Sequence, residues 1–121
     1  MSVKVVDASA LGALLFGEPA AEEVAAAIGD SPTSAPSLLE YELGNVCWKK
    51  CQRHPEMADV LRNAFAALPE LAIQLHDVDS GEVLRLALRH RLTFYDASYV
   101  WLARALGAPL VTLDTRLRNL N

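Results

Sequence analysis

Short β-branched or apolar runs alternate with longer helical patterns along the whole of this 121-residue chain. This alternation constrains the fold more than any other feature, because strands joined through helices pair as a parallel sheet covered on both faces. Strands are expected at residues 3–6, 33–35, 72–76 and 110–113, and helices at residues 8–16, 20–28, 36–53, 56–68, 81–90, 94–106 and from 114. We therefore predict an α/β fold with three layers, α/β/α, and a central, mainly parallel sheet.

Composition and local signals agree with one domain over residues 1–121. The chain is 52% hydrophobic, which is enough to form a hydrophobic core, and its 121 residues are too few for two domains. Pro36 is expected to open the long third helix, and Ser80 to cap a later one. We expect Cys47 and Cys51 on or near a buried helix face, because two cysteines form no disulfide framework and their spacing is no zinc motif.

The N-terminal segment does not resemble a signal peptide, because Asp7 interrupts its apolar run and the stretch after it is too short to span a bilayer. We therefore expect a cytoplasmic protein that does not enter the membrane. The net charge of −4 argues against a generic nucleic-acid binder, since phosphate neutralisation needs Lys and Arg. If four of the acids form a metal site, the remaining acidic and basic residues are equal in number. The negative net charge therefore does not exclude a metal-assisted nucleic-acid site.

Four acids are expected near helix starts, where strands or short connections end. Asp7 follows the first strand and Asp114 the last, and ligands of parallel α/β sheets bind beyond the carboxyl ends of strands. Asp96 lies in the first turn of its helix, three residues after the cap candidate Thr93. Each acid alone could be a cap or a solvated residue, but together they could converge on one edge.

The fourth acid, Glu42, lies on the long helix at the edge of an apolar stripe, where a carboxylate needs a partner. Glu40 is its rival, because both residues flank the stripe and periodicity does not choose between them. The aromatic residues Trp48, Tyr99 and Trp101 are expected to be core residues rather than interface or base-stacking residues. His54, His76 and His90 have no metal-ligand spacing and are interpreted as surface or structural.

Carboxylates without histidine or cysteine suit hard cations such as Mg²⁺ or Mn²⁺, whose natural chemistry is phosphoryl transfer. The chain has no Walker loop, GxGxxG or nucleophile elbow. A phosphatase with a nucleophilic aspartate would need a second acid two residues after Asp7, where Ser9 stands. A receiver-type signalling domain would need a late lysine, and none follows Lys50.

Four motifs in order resemble those of the PIN-domain ribonucleases, and in particular the VapC-type toxins of type II toxin–antitoxin pairs. A strand ends in Asp7 with Ser9 two residues later, and a proline precedes a helix in which Glu42 lies three residues before Asn45. An aromatic residue precedes Asp96-Ala97, and the last strand ends in Thr112-Leu113-Asp114. The second motif selects Glu42 over Glu40.

The resemblance implies a PIN-like fold and a Mg²⁺- or Mn²⁺-dependent endoribonuclease that hydrolyses RNA through an activated water. Asp7, Glu42, Asp96 and Asp114 would be the catalytic and metal-holding residues. It also implies a small cognate antitoxin protein and a homodimer. The alternative is a PIN-fold module that binds RNA or protein but is non-catalytic or permanently inhibited.

Five further residues complete the hypothesis. Ser9, Asn45 and Thr112 are candidates to orient a ligand carboxylate or a water by hydrogen bonding, although Ser9 and Thr112 could equally make local backbone bonds. Arg116 and Arg118 are candidate RNA contacts because they follow Asp114 closely, and a solvated basic helix face is an equal alternative.

Overall fold

The sheet of this protein is parallel throughout. The computed structural model describes residues 2–120. Its strands are β1 (Lys4–Val6), β2 (Thr33–Pro36), β3 (Gln74–His76) and β4 (Leu110–Val111), in the spatial order β3-β2-β1-β4. All three strand pairs are parallel, so the expected fold class is confirmed.

Helices connect the strands as the alternation predicts. They are α1 (Ala8–Leu15), α2 (Ala21–Ile28), α3 (Leu39–Arg53), α4 (Ala58–Ala66), α5 (Ser80–His90), α6 (Phe94–Leu106) and α7 (Thr115–Asn119). Buried apolar side chains of β1, α1, α3 and α6 pack together as the main core, with Val5 and Val6 of β1 fully buried at its centre. None of the helices in residues 2–120 is long and apolar enough to cross a membrane.

Two of the expected helix starts are wrong. Pro36 ends β2 instead of opening α3, because it still pairs with His76 and the next amide, that of Ser37, donates to the His76 carbonyl at 2.9 Å. The helix begins only at Leu39. The cap of α5 is Asp79 rather than Ser80, since the Asp79 carboxylate accepts from the Glu82 amide at 3.1 Å.

The segment expected as one helix over residues 56–68 is a shorter helix with a 3₁₀ turn at each end, and Pro55 and Pro69 lie in those turns. A 3₁₀ turn covers Pro55–Met57, α4 follows, and a second 3₁₀ turn covers Leu68–Leu71. The core expectation for Trp48 is also wrong, because 59% of that residue is exposed. Cys47 is buried and Cys51 half-buried, as expected, and Tyr99 is buried.

The strand order places a topological switch beside β1. The chain runs from β1 outward to β2 and β3, and then returns to add β4 on the opposite side of β1. At such a point the connections leave two neighbouring strands in opposite directions and open a crevice at their carboxyl ends. Asp7 follows β1 directly, and Thr112 follows β4 directly, so both lie at this crevice.

Candidate active site

Asp7 is the most buried acid of the crevice, with 4% of the residue exposed. It is the N-cap of α1, where its Oδ1 accepts from the Ala10 amide at 3.0 Å. The Ser9 hydroxyl donates to the same oxygen at 2.7 Å, and the Thr112 hydroxyl donates to Oδ2. Because three donors hold the carboxylate, its position and orientation are determined by the fold.

Ser9 and Thr112 also join the two strand ends. The Ser9 hydroxyl accepts from the Leu113 amide at 3.1 Å, and the Thr112 hydroxyl accepts from the Asp114 amide at 3.0 Å. Each hydroxyl therefore contacts both Asp7 and the backbone of the segment after β4. The expectation that these two residues orient a carboxylate agrees with this geometry, as Asp7 is the carboxylate that both contact.

Glu42 lies in the first turn of α3 and is half-buried. The hydroxyl of the buried Tyr99, on α6, donates to Glu42 Oε1 at 2.6 Å. Glu40 is exposed and lies against a different, apolar depression formed with Phe65 and Ile73. The choice of Glu42 over Glu40 thus agrees with the direction in which the two side chains extend.

Asp96 and Asp114 are the more accessible acids, with 30% and 32% of their side chains exposed. Asp114 caps α7 by accepting from the Arg116 amide at 2.8 Å. The Arg116 guanidinium lies 3.5 Å from Asp96 Oδ2 and 3.4 Å from Asp114 Oδ2. A basic group of the chain therefore bridges two acids at the mouth of the crevice.

All four acids line one depression of about 420 Å³, which we call the acid pocket; its members include Asp7, Glu42, Asp96 and Asp114, together with Glu18 and Tyr99. Its oxygen donors are those that Mg²⁺ and Mn²⁺ prefer, so the donor set fits the implied ion. As they stand, no three His, Cys, Asp or Glu side chains of residues 2–120 are close enough to share one ion.

Burial and mutual repulsion raise the pKa of three of these acids. Burial is the main cause for Asp7, Glu42 and Asp96, and the charges of neighbouring acids raise each pKa further. For Asp114, desolvation is the largest single influence and raises the pKa, but the hydrogen bonds from Arg116 and Leu117 and the charge of Arg116 together outweigh it and hold the pKa below its usual range. Burial and the adjacent Glu42 also raise the pKa of Tyr99, which stays a hydrogen-bond donor. A cation in the pocket would relieve the repulsion among the acids.

Two of the residues proposed from the sequence lie away from the four acids. Asn45 is exposed and lies in a neighbouring depression, and the partner of Glu42 is Tyr99 instead. Arg118 donates to the Thr112 carbonyl at 2.8 Å and lines a separate depression beside Lys4, so only Arg116 faces the acids. The role of Tyr99 was missed, and its only sequence signal is a position three residues after Asp96, about one turn along the same helix face.

Comparison with known proteins identifies the family of this chain. Residues 4–121 match the family described as PIN domain. This chain belongs to the PIN-domain family. It is 38% identical over 120 residues to Ribonuclease VapC3 of Pyrobaculum aerophilum, covering 93% of this chain and 90% of that protein. It is also 38% identical over 116 residues to Ribonuclease VapC1 of Mycobacterium tuberculosis, covering 93% and 86%.

A solved structure has the same fold. The crystal structure of PAE2754 from Pyrobaculum aerophilum matches this PIN domain with a TM-score of 0.81 and 31% sequence identity, covering 99% of this chain and 85% of that one. The resemblance drawn from the four motifs is therefore confirmed at the level of the family, and the named relatives make this a PIN-domain protein of the VapC type.

Proposed function

We propose that this PIN-domain protein is a Mg²⁺- or Mn²⁺-dependent endoribonuclease and the toxin of a toxin–antitoxin pair. The observation that carries the proposal is the acid pocket, a depression beside the switch point of the sheet that is lined by carboxylates from four separate parts of the chain. The two relatives named above are ribonucleases, which supports RNA as the substrate. Their VapC type supports a small cognate antitoxin as a partner, and a homodimer remains a prediction.

The four acids would have different roles, because they differ in hydrogen bonding and in accessibility. Asp7 is held by three donors and would provide a fixed oxygen, while Glu42 is oriented by Tyr99. Asp96 and Asp114 are accessible and would turn inward, away from Arg116. When bound, a divalent ion lowers the pKa of water and stabilises negative charge on a phosphate. The guanidinium of Arg116, once released, would lie near the acids to contact the substrate phosphate.

The alternative, a non-catalytic or permanently inhibited binding module, is not favoured. A module without chemistry has no need to keep four carboxylates around one depression at the cost of their mutual repulsion. Occupation of the pocket by an antitoxin would inhibit an active enzyme without altering its residues.

The test is a cleavage assay with partner-free protein and total cellular RNA, run with Mg²⁺, with Mn²⁺ and with a chelator. We expect cleavage to need the metal and to be lost in Asp7→Asn. Asp59→Asn is the matched control, because Asp59 is an exposed acid paired with Arg62 outside the pocket. A circular RNA substrate separates endonuclease from exonuclease action, since it has no ends. Cleavage that survives both the chelator and Asp7→Asn would overturn the proposal.

A further inference from the structure

A second depression adjoins the acid pocket and is bordered by two exposed tyrosines. Tyr41 on α3 is 79% exposed and Tyr95 on α6 is 58% exposed. Both line a depression of about 530 Å³ together with Asn45 and Lys49, and we call it the tyrosine depression. Large aromatic side chains usually bury much of their surface, so two of them facing solvent in one depression indicate a ligand surface.

The tyrosine depression borders the acid pocket. Glu42 lines both of them, and Tyr95 directly precedes Asp96 at the start of α6. A polymer bound with one phosphate at the acids would therefore place a neighbouring residue of the polymer over the tyrosines. Lys49 supplies the positive charge that a phosphate of the same polymer needs.

We propose that the tyrosine depression is a stacking subsite for an unpaired RNA nucleotide next to the scissile phosphate, an inference that rests on the proposed function. Every base has a π-face that stacks on an aromatic ring, and specific RNA recognition mostly targets unpaired bases. The Asn45 amide has both a donor and acceptors for a base edge. Stacking also provides affinity without positive charge, which a chain of net charge −4 otherwise lacks.

The first test measures binding of a fluorescently labelled single-stranded RNA octamer of mixed sequence by fluorescence anisotropy. A chelator prevents metal-dependent cleavage, and a gel verifies that the probe stays intact. Tyr95→Leu keeps an apolar side chain but removes the ring, and we expect it to raise Kd by about fivefold or more. Tyr95→Phe keeps the ring and should bind like the wild type. Leu88→Ala is the control, because Leu88 is an exposed apolar residue of α5 that lines neither depression, and it should change nothing.

A second test uses the unaltered protein, so that it does not depend on any variant. Photo-crosslinking of an octamer that carries 4-thiouridine, followed by mass spectrometry, should identify peptides containing Tyr41 or Tyr95. Absence of octamer binding, equal weakening by Tyr95→Leu and Leu88→Ala, or crosslinks confined to other segments would each overturn the inference.

The results separate this inference from the proposed function. Octamer binding that depends on Tyr95, in a protein that cleaves no RNA, would support the subsite and count against the nuclease proposal. Metal-dependent cleavage by the wild type, together with unchanged octamer binding in Tyr95→Leu, would support the nuclease proposal and count against the subsite. If Tyr95→Leu instead lowers the molecular mass seen by light scattering and leaves octamer affinity unchanged, the tyrosine depression is an interface with a second copy and the inference is wrong.

Discussion

The hydroxyl of Thr112 is the contact whose removal tests the site most sharply. Thr112 and Asp7 are each 4% exposed, and the hydroxyl both donates to Asp7 and accepts from the Asp114 amide at 3.0 Å. Thr112→Val keeps the shape of the side chain but removes both hydrogen bonds. The Oδ1 atom of Asp7 keeps its bonds from Ser9 and Ala10, whereas Oδ2 loses the Thr112 donor.

The expected cost follows from what each hydrogen bond contributes. A bond to a buried charged group contributes about 1.5–3 kcal/mol and a neutral one about 1 kcal/mol, so Thr112→Val should lower the free energy of unfolding by about 2–4 kcal/mol at neutral pH. Thr112→Ser keeps the hydroxyl and should lose less, because only a methyl group is removed. The loss of the donor should also raise the pKa of Asp7 further, since the Thr112 bond lowers it.

The destabilisation should depend on pH. Burial raises the pKa of Asp7 above 3.8, so the protonated acid contributes stability that is present below that value and lost as the pH rises through the folded-state pKa. The Thr112 bond acts in the opposite direction, because it stabilises the ionised form. Its contribution is present at neutral pH and decreases as the pH falls through the folded-state pKa of Asp7.

Urea unfolding of the wild type, Thr112→Val and Thr112→Ser at neutral and mildly acidic pH measures these differences. A double-mutant cycle with Asp7→Asn isolates the pairwise interaction. The reasoning would be refuted if Thr112→Val were as stable as the wild type at neutral pH. It would also fail if Thr112→Ser lost as much stability as Thr112→Val, or if Asp7→Asn left the effect of Thr112→Val unchanged.

Three further predictions concern the remaining groups of the acid pocket. Tyr99→Phe removes the hydroxyl that donates to Glu42, so we expect urea unfolding to show a free energy of unfolding lower by about 1–2 kcal/mol. NMR titration should show a higher Glu42 pKa, and an unchanged pKa would contradict the contact. Because the pKa values of Asp7 and Glu42 are raised in the metal-free protein, protons should compete with the ion at a pH above the ordinary carboxyl values, and calorimetry should find that the affinity for Mn²⁺ declines with acid in that range. Arg116→Gln removes a positive charge from Asp114, so calorimetry should find Mn²⁺ bound roughly threefold to tenfold more tightly, and weaker binding would show that the arginine does not compete with the ion.

Local signals predicted most of the elements and misplaced some of their ends. The strands, and helices such as α1 and α6, carry their periodicity and caps within a few residues, so they are readable from the sequence. Proline suits both a helix start and a strand end, so the sequence around Pro36 is ambiguous, and only the pairing with His76 decides that this residue ends β2. Ser80 and Asp79 are both good caps, and only the backbone geometry selects Asp79.

The four acids could be proposed from the sequence because each follows a local boundary, and the resemblance to a family chose Glu42 over Glu40. The orienting partner of Glu42 could not be predicted in this way, since Tyr99 lies 57 positions further along the chain. Likewise, sequence proximity treated Arg116 and Arg118 alike, whereas the short helix α7 directs one towards Asp114 and the other towards the Thr112 carbonyl.

The sequence by itself determined the α/β class and the candidate acids, because periodicity, caps and strand ends are properties of neighbouring residues. Only the tertiary structure decided that Asp7 meets Thr112, 105 positions away, and that Tyr41 and Tyr95 from different helices border one depression. The physical reason is that the order of the strands brings the ends of β1 and β4 together, and local sequence signals do not encode which strands become neighbours.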